Sequence, residues 1–213
     1  MDPIFAQMTD VIVSGLPDKA RELARQAVAS GIAPLDAIEK GFKPGMDIVG
    51  DGFTRGELFI PDLVMSGEAM KAAIAVLEPE LVARGQRREV AGTVVIGTVK
   101  GDIHEIGKTL VGTMLAANGF EVHDLGVDVS ANAFVDAVRE TGANVVGLSA
   151  LLTTTLLNQE TVIQTLQEAG LRGRVKVIIG GVPASPDWAD EIGADGYAEN
   201  ATEAVAVVRE LIG

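Results

Sequence analysis

The feature that most restricts this chain is a change of hydrophobic rhythm near residue 90. Before it, apolar residues recur at helical spacing and no convincing strand is present; after it, short apolar runs alternate with amphipathic helices. The runs TVVIGTV, FEVHDLG, NVVGLSA, VKVIIGG and ADGYA are strand candidates. The first, third and fourth are almost continuously apolar, as strands buried on both faces must be. Strands alternating with helices in this way imply an α/β part, a doubly wound parallel five-stranded sheet with helices on both faces. Flavodoxin-like strand order 2-1-3-4-5 with right-handed crossovers is expected. A chain of 213 residues fits one large domain or two smaller ones. Two are expected, a helical bundle over 1–88 and the α/β part over 89–213.

Within the first part, SGLPDKARELARQAVASG begins a helix at Pro17, repeats Ala20, Leu23, Ala24, Ala27 and Val28, and stops at Gly31. A second start follows at Pro34, KPGMDIVGDGF reads as an interrupted stretch, and a last helix begins at IPDLVMSGEAMKAAIAVLEPEL with Pro61. Residues 3–83 thus read as a bundle of four or five helices. PELVARGQRREVAG, with its charges and Gly85, reads as a linker, which near residues 82–91 would give the two parts freedom to move.

Composition removes several kinds of chemistry. With no cysteine, thiolate metal sites, iron–sulfur clusters, disulfides and cysteine nucleophiles are excluded, so any metal depends on His or carboxylates. The net charge of −13 is uneven: residues 1–88 carry 10 basic and 13 acidic side chains, residues 89–213 carry 7 and 17. Nucleic acid is therefore not an expected partner. No apolar stretch is long enough for a membrane span, and the acidic start MDPIFAQMTD lacks targeting character, so a cytoplasmic protein without a membrane partner is expected.

One of the two histidines sits in GDIHEIGK, directly after the first strand. SALLTTT follows the third strand and GGVP the fourth, so three unusual loops open at the carboxyl edge beside the topological switch point, where such sheets bind ligands. Neutral imidazole ligates borderline transition metals, and its second nitrogen usually donates to a carboxylate that fixes tautomer and orientation. Asp102 is placed for that role, since residues two apart in an extended loop point roughly the same way. Gly107 lets a bulky group approach the backbone where the next helix begins. A single His cannot hold a metal ion alone, so the remaining ligands would arrive with the metal, as in a macrocycle.

Asp102-x-His104-x-x-Gly107, then Ser149-x-Leu151, then Gly180-Gly181 resemble the signature of cobalamin-binding domains of the methionine-synthase and methylmalonyl-mutase type. GDGFTRGELFIPDLVMSGEAMKAAI resembles the helical cap that precedes this domain in methionine synthase and in small corrinoid proteins of methyltransferase systems, so the likeness spans nearly the whole chain. The resemblance implies a Rossmann-like domain that binds cobalamin base-off/His-on, with His104 as lower axial cobalt ligand and Asp102 on its distal nitrogen. Thr155, where methionine synthase has serine, would complete that hydrogen-bonded chain. Ser149, Leu151 and Thr153 would line the slot for the displaced nucleotide tail, with Gly107, Gly180 and Gly181 leaving it room. Phe59, Met65 and Met70 of the cap would cover the upper face, although Met65 and Met70 also fit packing inside the bundle.

The implied function is a corrinoid methyl carrier, in which Co(I) accepts a methyl group through one methyltransferase and passes it on through another, to tetrahydrofolate or a thiol coenzyme. Protonation of the Asp102–His104 pair would couple ligation to the oxidation state of cobalt. A reductive activator is implied as a third partner. A methyltransferase barrel needs about 250 residues, and nothing here is left over for one. A mutase subunit and a cobalamin-dependent sensor are the alternatives within the resemblance; neither a substrate barrel nor a basic helix-turn-helix is visible. Outside it, EIGKTL contains the Gly-Lys-Thr of a phosphate loop, but Gly101 and Gly107 are one residue too far apart, and Asp102 and Glu105 would repel phosphate. His123 reads as structural and Asp195 as serving a turn near the fifth strand. Methylamines, methanol, betaine and aryl methyl ethers all remain open as donors, as do the acceptor, the corrinoid's lower base and the oligomeric state.

Overall fold

The computed structural model describes residues 3–85 and 90–213, which form two compact units on either side of residues 86–89. The boundary expected between 88 and 89 and the middle of the expected linker lie outside the described residues.

The helical unit contains α1 (Pro3–Val13), α2 (Pro17–Ala29), α3 (Pro34–Asp36), a π-helical segment (Ala37–Phe42), α4 (Lys43–Thr54) and α5 (Ile60–Ala83). Proline occupies the first turn of α2 to α5, where its missing N–H leaves no bond unmade. Helix α2 lies on α5, with Ala20, Ala24 and Ala27 of one and Ser66, Ala69 and Ala73 of the other fully buried.

Two sequence expectations fail here. KPGMDIVGDGF forms one continuous helix, because the π-helical segment resets the register before Pro44: Lys43 N–H bonds to Ile38 O. The Gly41 carbonyl accepts the Thr9 hydroxyl at 2.8 Å. Gly45 serves helix contact rather than a break, since a Cβ there would sit 2.6 Å from Ile12 Cβ. The helix read over IPDLVMSGEAMKAAIAVLEPEL is present, but the overlapping reading of a linker from Pro79 fails. Helix α5 runs through that proline to Ala83, held by buried Leu77 and Leu81, and gives way at Gly85, whose φ of +65° is left-handed.

The second unit alternates β1 (Thr93–Thr98), α6 (Ile106–Ala117), β2 (Glu121–Asp124), α7 (Ala131–Thr141), β3 (Val145–Ser149), α8 (Leu157–Glu168), β4 (Lys176–Gly180), α9 (Pro186–Ile192), β5 (Gly196–Tyr197) and α10 (Ala201–Ile212). All five strands are parallel and stand in the order 2-1-3-4-5. One face turns Val95, Val146, Leu148, Val177 and Ile179 toward Phe134 of α7, Leu166 of α8 and Ile192 of α9 in a single buried cluster. Gly97 is required there, because a Cβ would lie 2.7 Å from the Phe134 ring. The opposite face carries Val94, Ile96 and Ile178 beneath α6 and α10, which pack on each other. Register aligns Thr98 with Ser149 and Ser149 with Gly180, so the carboxyl ends of β1, β3 and β4 finish level and their loops emerge together.

Pro79 is exposed, so its ring adds no packing to offset the hydrogen bond it removes from α5. Pro79→Ala is expected to stabilise the helical unit by about 1 to 3 kcal/mol, read as a higher midpoint in urea denaturation. An unchanged or lower midpoint would show that the helix gains nothing from a continuous backbone there.

Candidate functional site

Strand β1 ends at Thr98, but Val99 stays parallel to its neighbours, donating to Ser149 O at 3.0 Å and bridging to Val129. The chain then turns through Gly101 (φ +81°), and Asp102 N–H closes the turn on Val99 O. Wholly buried Thr98 donates its hydroxyl to His104 O at 2.8 Å, fixing the backbone of the histidine two residues before α6 begins.

Asp102 is fully buried, and each of its oxygens is committed. Oδ1 lies 2.7 Å from His104 Nδ1 and accepts His104 N–H at 3.1 Å. Oδ2 accepts the N–H of Leu151 at 2.8 Å, the N–H of Leu152 at 3.2 Å and the Thr155 hydroxyl at 2.7 Å. The Thr155 hydroxyl also lies 2.9 Å from Leu152 O, but its single proton goes to the nearer, charged acceptor. Burial by itself pushes the Asp102 carboxyl up. The Thr155 hydroxyl, the His104 ring and the N–H groups of His104 and Leu151 outweigh it and hold the carboxyl well below the usual carboxylate range. A carboxylate only accepts, so in the neutral ring Nδ1 carries the proton and Nε2 the lone pair. The ring is 46 % exposed, and Nε2 has no hydrogen-bonded partner among the described residues.

His104 lines a cavity of about 900 Å³. Ile96, Gly147 and Ile178 form its floor, α6 and α10 its sides, and Ser149, Leu151, Gly180 and Gly181 part of its rim. The sheet face beneath α6 and α10 therefore stops being closed where it reaches the carboxyl edge. Of the residues expected to contact a ligand, His104, Gly107, Ser149, Leu151, Gly180 and Gly181 line this cavity; Asp102 and Thr155 stand behind His104, and Thr153 is exposed outside the lining. Phe59 and Met65 are exposed and Met70 half-buried on the helical unit.

The glycines differ in what requires them. A Cβ on Gly181 would lie 1.8 Å from Ala150 O, and one on Gly180 would lie 3.1 Å from Ala198 O, so the protein's own backbone occupies that space. At Gly107 neither a left-handed backbone nor any atom within 4 Å requires glycine. The space beside His104 that a side chain would take is open, which suits a large ligand.

One contributing residue carries no sequence signal. Buried Gln159, one polar residue among many in LLNQETV, donates both amide protons, to Leu148 O and Gly180 O at 3.1 Å each, and accepts Trp188 Nε1–H at 3.0 Å. It thereby ties the ends of β3 and β4 at the cavity wall. Lys108, the lysine of the apparent phosphate-loop fragment, is buried and paired with Asp124 at the end of β2. His123 lies 3.3 Å from Glu121 on β2, away from this site. Asp195 does more than serve a turn: it accepts Val177 N–H at 2.7 Å and pairs with Arg172 at 2.8 Å. Among the described residues no three His, Cys, Asp or Glu side chains converge into a set able to hold a metal ion.

A family model for a B12 binding domain matches residues 92–206, and a second B12 binding domain model matches residues 4–78. The chain is 46 % identical over 212 residues to dimethylamine corrinoid protein 3 of Methanosarcina acetivorans, covering 100 % of this chain and 98 % of that one. It is 47 % identical over 211 residues to the trimethylamine corrinoid protein of Methanosarcina barkeri, covering 99 % and 97 %. Among solved structures it matches a chain of the methanol:cobalamin methyltransferase complex MtaBC from Methanosarcina barkeri with a TM-score of 0.87 at 29 % identity, covering 100 % of this chain and 86 % of that one.

Because the folded-state pKa of Asp102 is depressed, its contribution to stability is complete above the unfolded-state value near 4 and is lost as pH falls from there toward the folded value. Asp102→Asn is expected to lower stability at neutral pH by about 3 kcal/mol, because the amide keeps one acceptor oxygen and sets its NH2 against the donors of the other loop. Urea denaturation in steps below about pH 5 should then show a shallower acid dependence than the parent. Equal dependence in both proteins would refute the assignment of that acid sensitivity to Asp102.

Proposed function

This chain belongs to the family of cobalamin-binding corrinoid proteins, and from that membership we propose that it is a methyl carrier, binding the corrinoid base-off with His104 as the lower ligand. The observation that carries this reading is the His104 ring, its Nδ1 committed to a buried carboxylate, at an apolar cavity beside a glycine that nothing in the protein requires. When bound, the corrinoid would supply a cobalt able to take up and release a methyl group, while the protein would supply orientation and electrostatics.

Each residue role follows from its place. Asp102 keeps the proton on Nδ1, so Nε2 faces the ligand position as a lone pair, and Thr155 steadies that carboxylate. Thr98 holds the His104 backbone, which limits how far the ring can withdraw. Gly107 leaves room beside the ring, and the apolar space between α6 and α10 takes the displaced nucleotide tail against Ile96, Gly147 and Ile178. Gln159 keeps the β3 and β4 edges of that space at fixed separation.

The methyl donor on this reading is a small methylated amine. Relatives named for dimethylamine and trimethylamine share 46 % and 47 % of their residues with this chain, against 29 % for the chain of the methanol complex. Donor and acceptor chemistry would belong to partner methyltransferases, with a reductive activator as a third partner.

Purified chain mixed with hydroxocobalamin is expected to stay coloured after desalting. Labelling its histidines with 15N should change the hyperfine pattern of the one-electron-reduced cofactor, because the axial nitrogen belongs to the protein. His104→Gly should remove that change and weaken retention by at least about tenfold. A colourless eluate, or one in which the benzimidazole remains on cobalt, overturns the proposal.

A further inference from the structure

Asp128 is the one non-glycine residue among those described whose backbone lies in the left-handed region, at φ +53°. It is exposed, so burial does not hold it there. Such a conformation costs an L-residue roughly 1 kcal/mol or more, which glycine would avoid. What offsets it is a pair of hydrogen bonds to the histidine-bearing loop. The Asp128 carboxylate accepts Gly101 N–H at 2.7 Å, and its own N–H donates to Asp102 O at 2.9 Å.

The flanking residues extend this contact. Thr98 N–H donates to Gly126 O and Val129 N–H to Thr98 O, each at 3.0 Å, on either side of the Val99–Val129 bridge. Asp102 is therefore gripped from opposite sides: its side chain by the β3–α8 loop at Leu151, Leu152 and Thr155, its backbone by the β2–α7 loop at Asp128. Without the second grip, the carboxylate could keep its bonds to Leu151, Leu152 and Thr155 while the backbone between residues 99 and 104 tilted, carrying the His104 ring with it.

We propose that Asp128 is a positioning residue, holding the Asp102–His104 loop so that the imidazole meets the corrin in ligating geometry. The proposal rests on His104 being the ligand. It differs from a simple turn role in one decisive respect. If only the left-handed backbone mattered, glycine would serve as well or better; if the carboxylate matters, glycine fails and asparagine, which tolerates this conformation and keeps an acceptor oxygen, succeeds.

The test uses the full chain with Asp128→Gly and Asp128→Asn. In the cofactor-free protein, amide exchange at Gly101 is expected to quicken about tenfold in Asp128→Gly and to return toward the parent rate in Asp128→Asn, the scale of one charge-assisted hydrogen bond. With cobinamide, a corrinoid that has no lower base of its own, the parent should show an imidazole-ligated spectrum. Asp128→Gly should lose most of that signature while melting as one cooperative transition, and Asp128→Asn should recover it. Parent-like exchange in Asp128→Gly overturns the proposal, as does an unaltered cobinamide spectrum. A parent chain that leaves cobinamide unligated instead refutes His104 as the ligand, and the exchange measurement still decides whether Asp128 holds the loop.

Discussion

The site depends on one buried carboxylate. Asp102 has no solvent contact and is surrounded by donors from two loops that are far apart in sequence. A buried anion is expensive unless each lone pair is met, and here the Leu151 and Leu152 amides, the Thr155 hydroxyl and the His104 backbone and ring meet them. Satisfying the charge therefore has three consequences. It ties the β1–α6 loop to the β3–α8 loop, it sets the tautomer of His104, and it leaves the far nitrogen of the ring unengaged.

That arrangement is possible because the strand register brings the loops to one level. Thr98, Ser149 and Gly180 are neighbours across three parallel strands, so the segments that follow them share one edge. The two faces of the sheet then diverge. One is closed by α7, α8 and α9 around Phe134, whereas under α6 and α10 small residues such as Gly147 and Ala204 leave space at the carboxyl end. Gln159 reaches the strand ends from α8 and bonds the carbonyls of Leu148 and Gly180, which joins β3 to β4 beside that space.

Much of the fold could be read before the structure, and the failures have local causes. Strand positions and the starts of α2, α3 and α5 followed from apolar periodicity and proline placement, and the strand order from the doubly wound class that the alternation implied. The two misreadings both involved proline or glycine in helices, where propensity argues for a break. At Pro44 a π-helical segment absorbed the missing donor, and at Pro79 buried leucines on either side carried the helix through. Tertiary burial outweighed a local preference in both cases. Within the site, Asp102, His104 and Gly107 were readable from spacing, whereas Gln159 and Asp128 looked like ordinary polar residues and Lys108 stood out only as part of a phosphate-loop fragment. Their importance lies in partners 11 to 29 residues away in sequence.

By itself the sequence determined the division into a helical and an α/β part, the parallel sheet and the three loops at its carboxyl edge. Those properties rest on side-chain periodicity and on residues whose backbone preferences are local. Only the tertiary structure decided which donors surround Asp102, that Lys108 is neutralised by Asp124, and that Gly181 makes room for the Ala150 carbonyl whereas Gly107 leaves room for something the chain does not itself supply. Each of these depends on distances between segments that pair only across the sheet, and no local pattern encodes such distances.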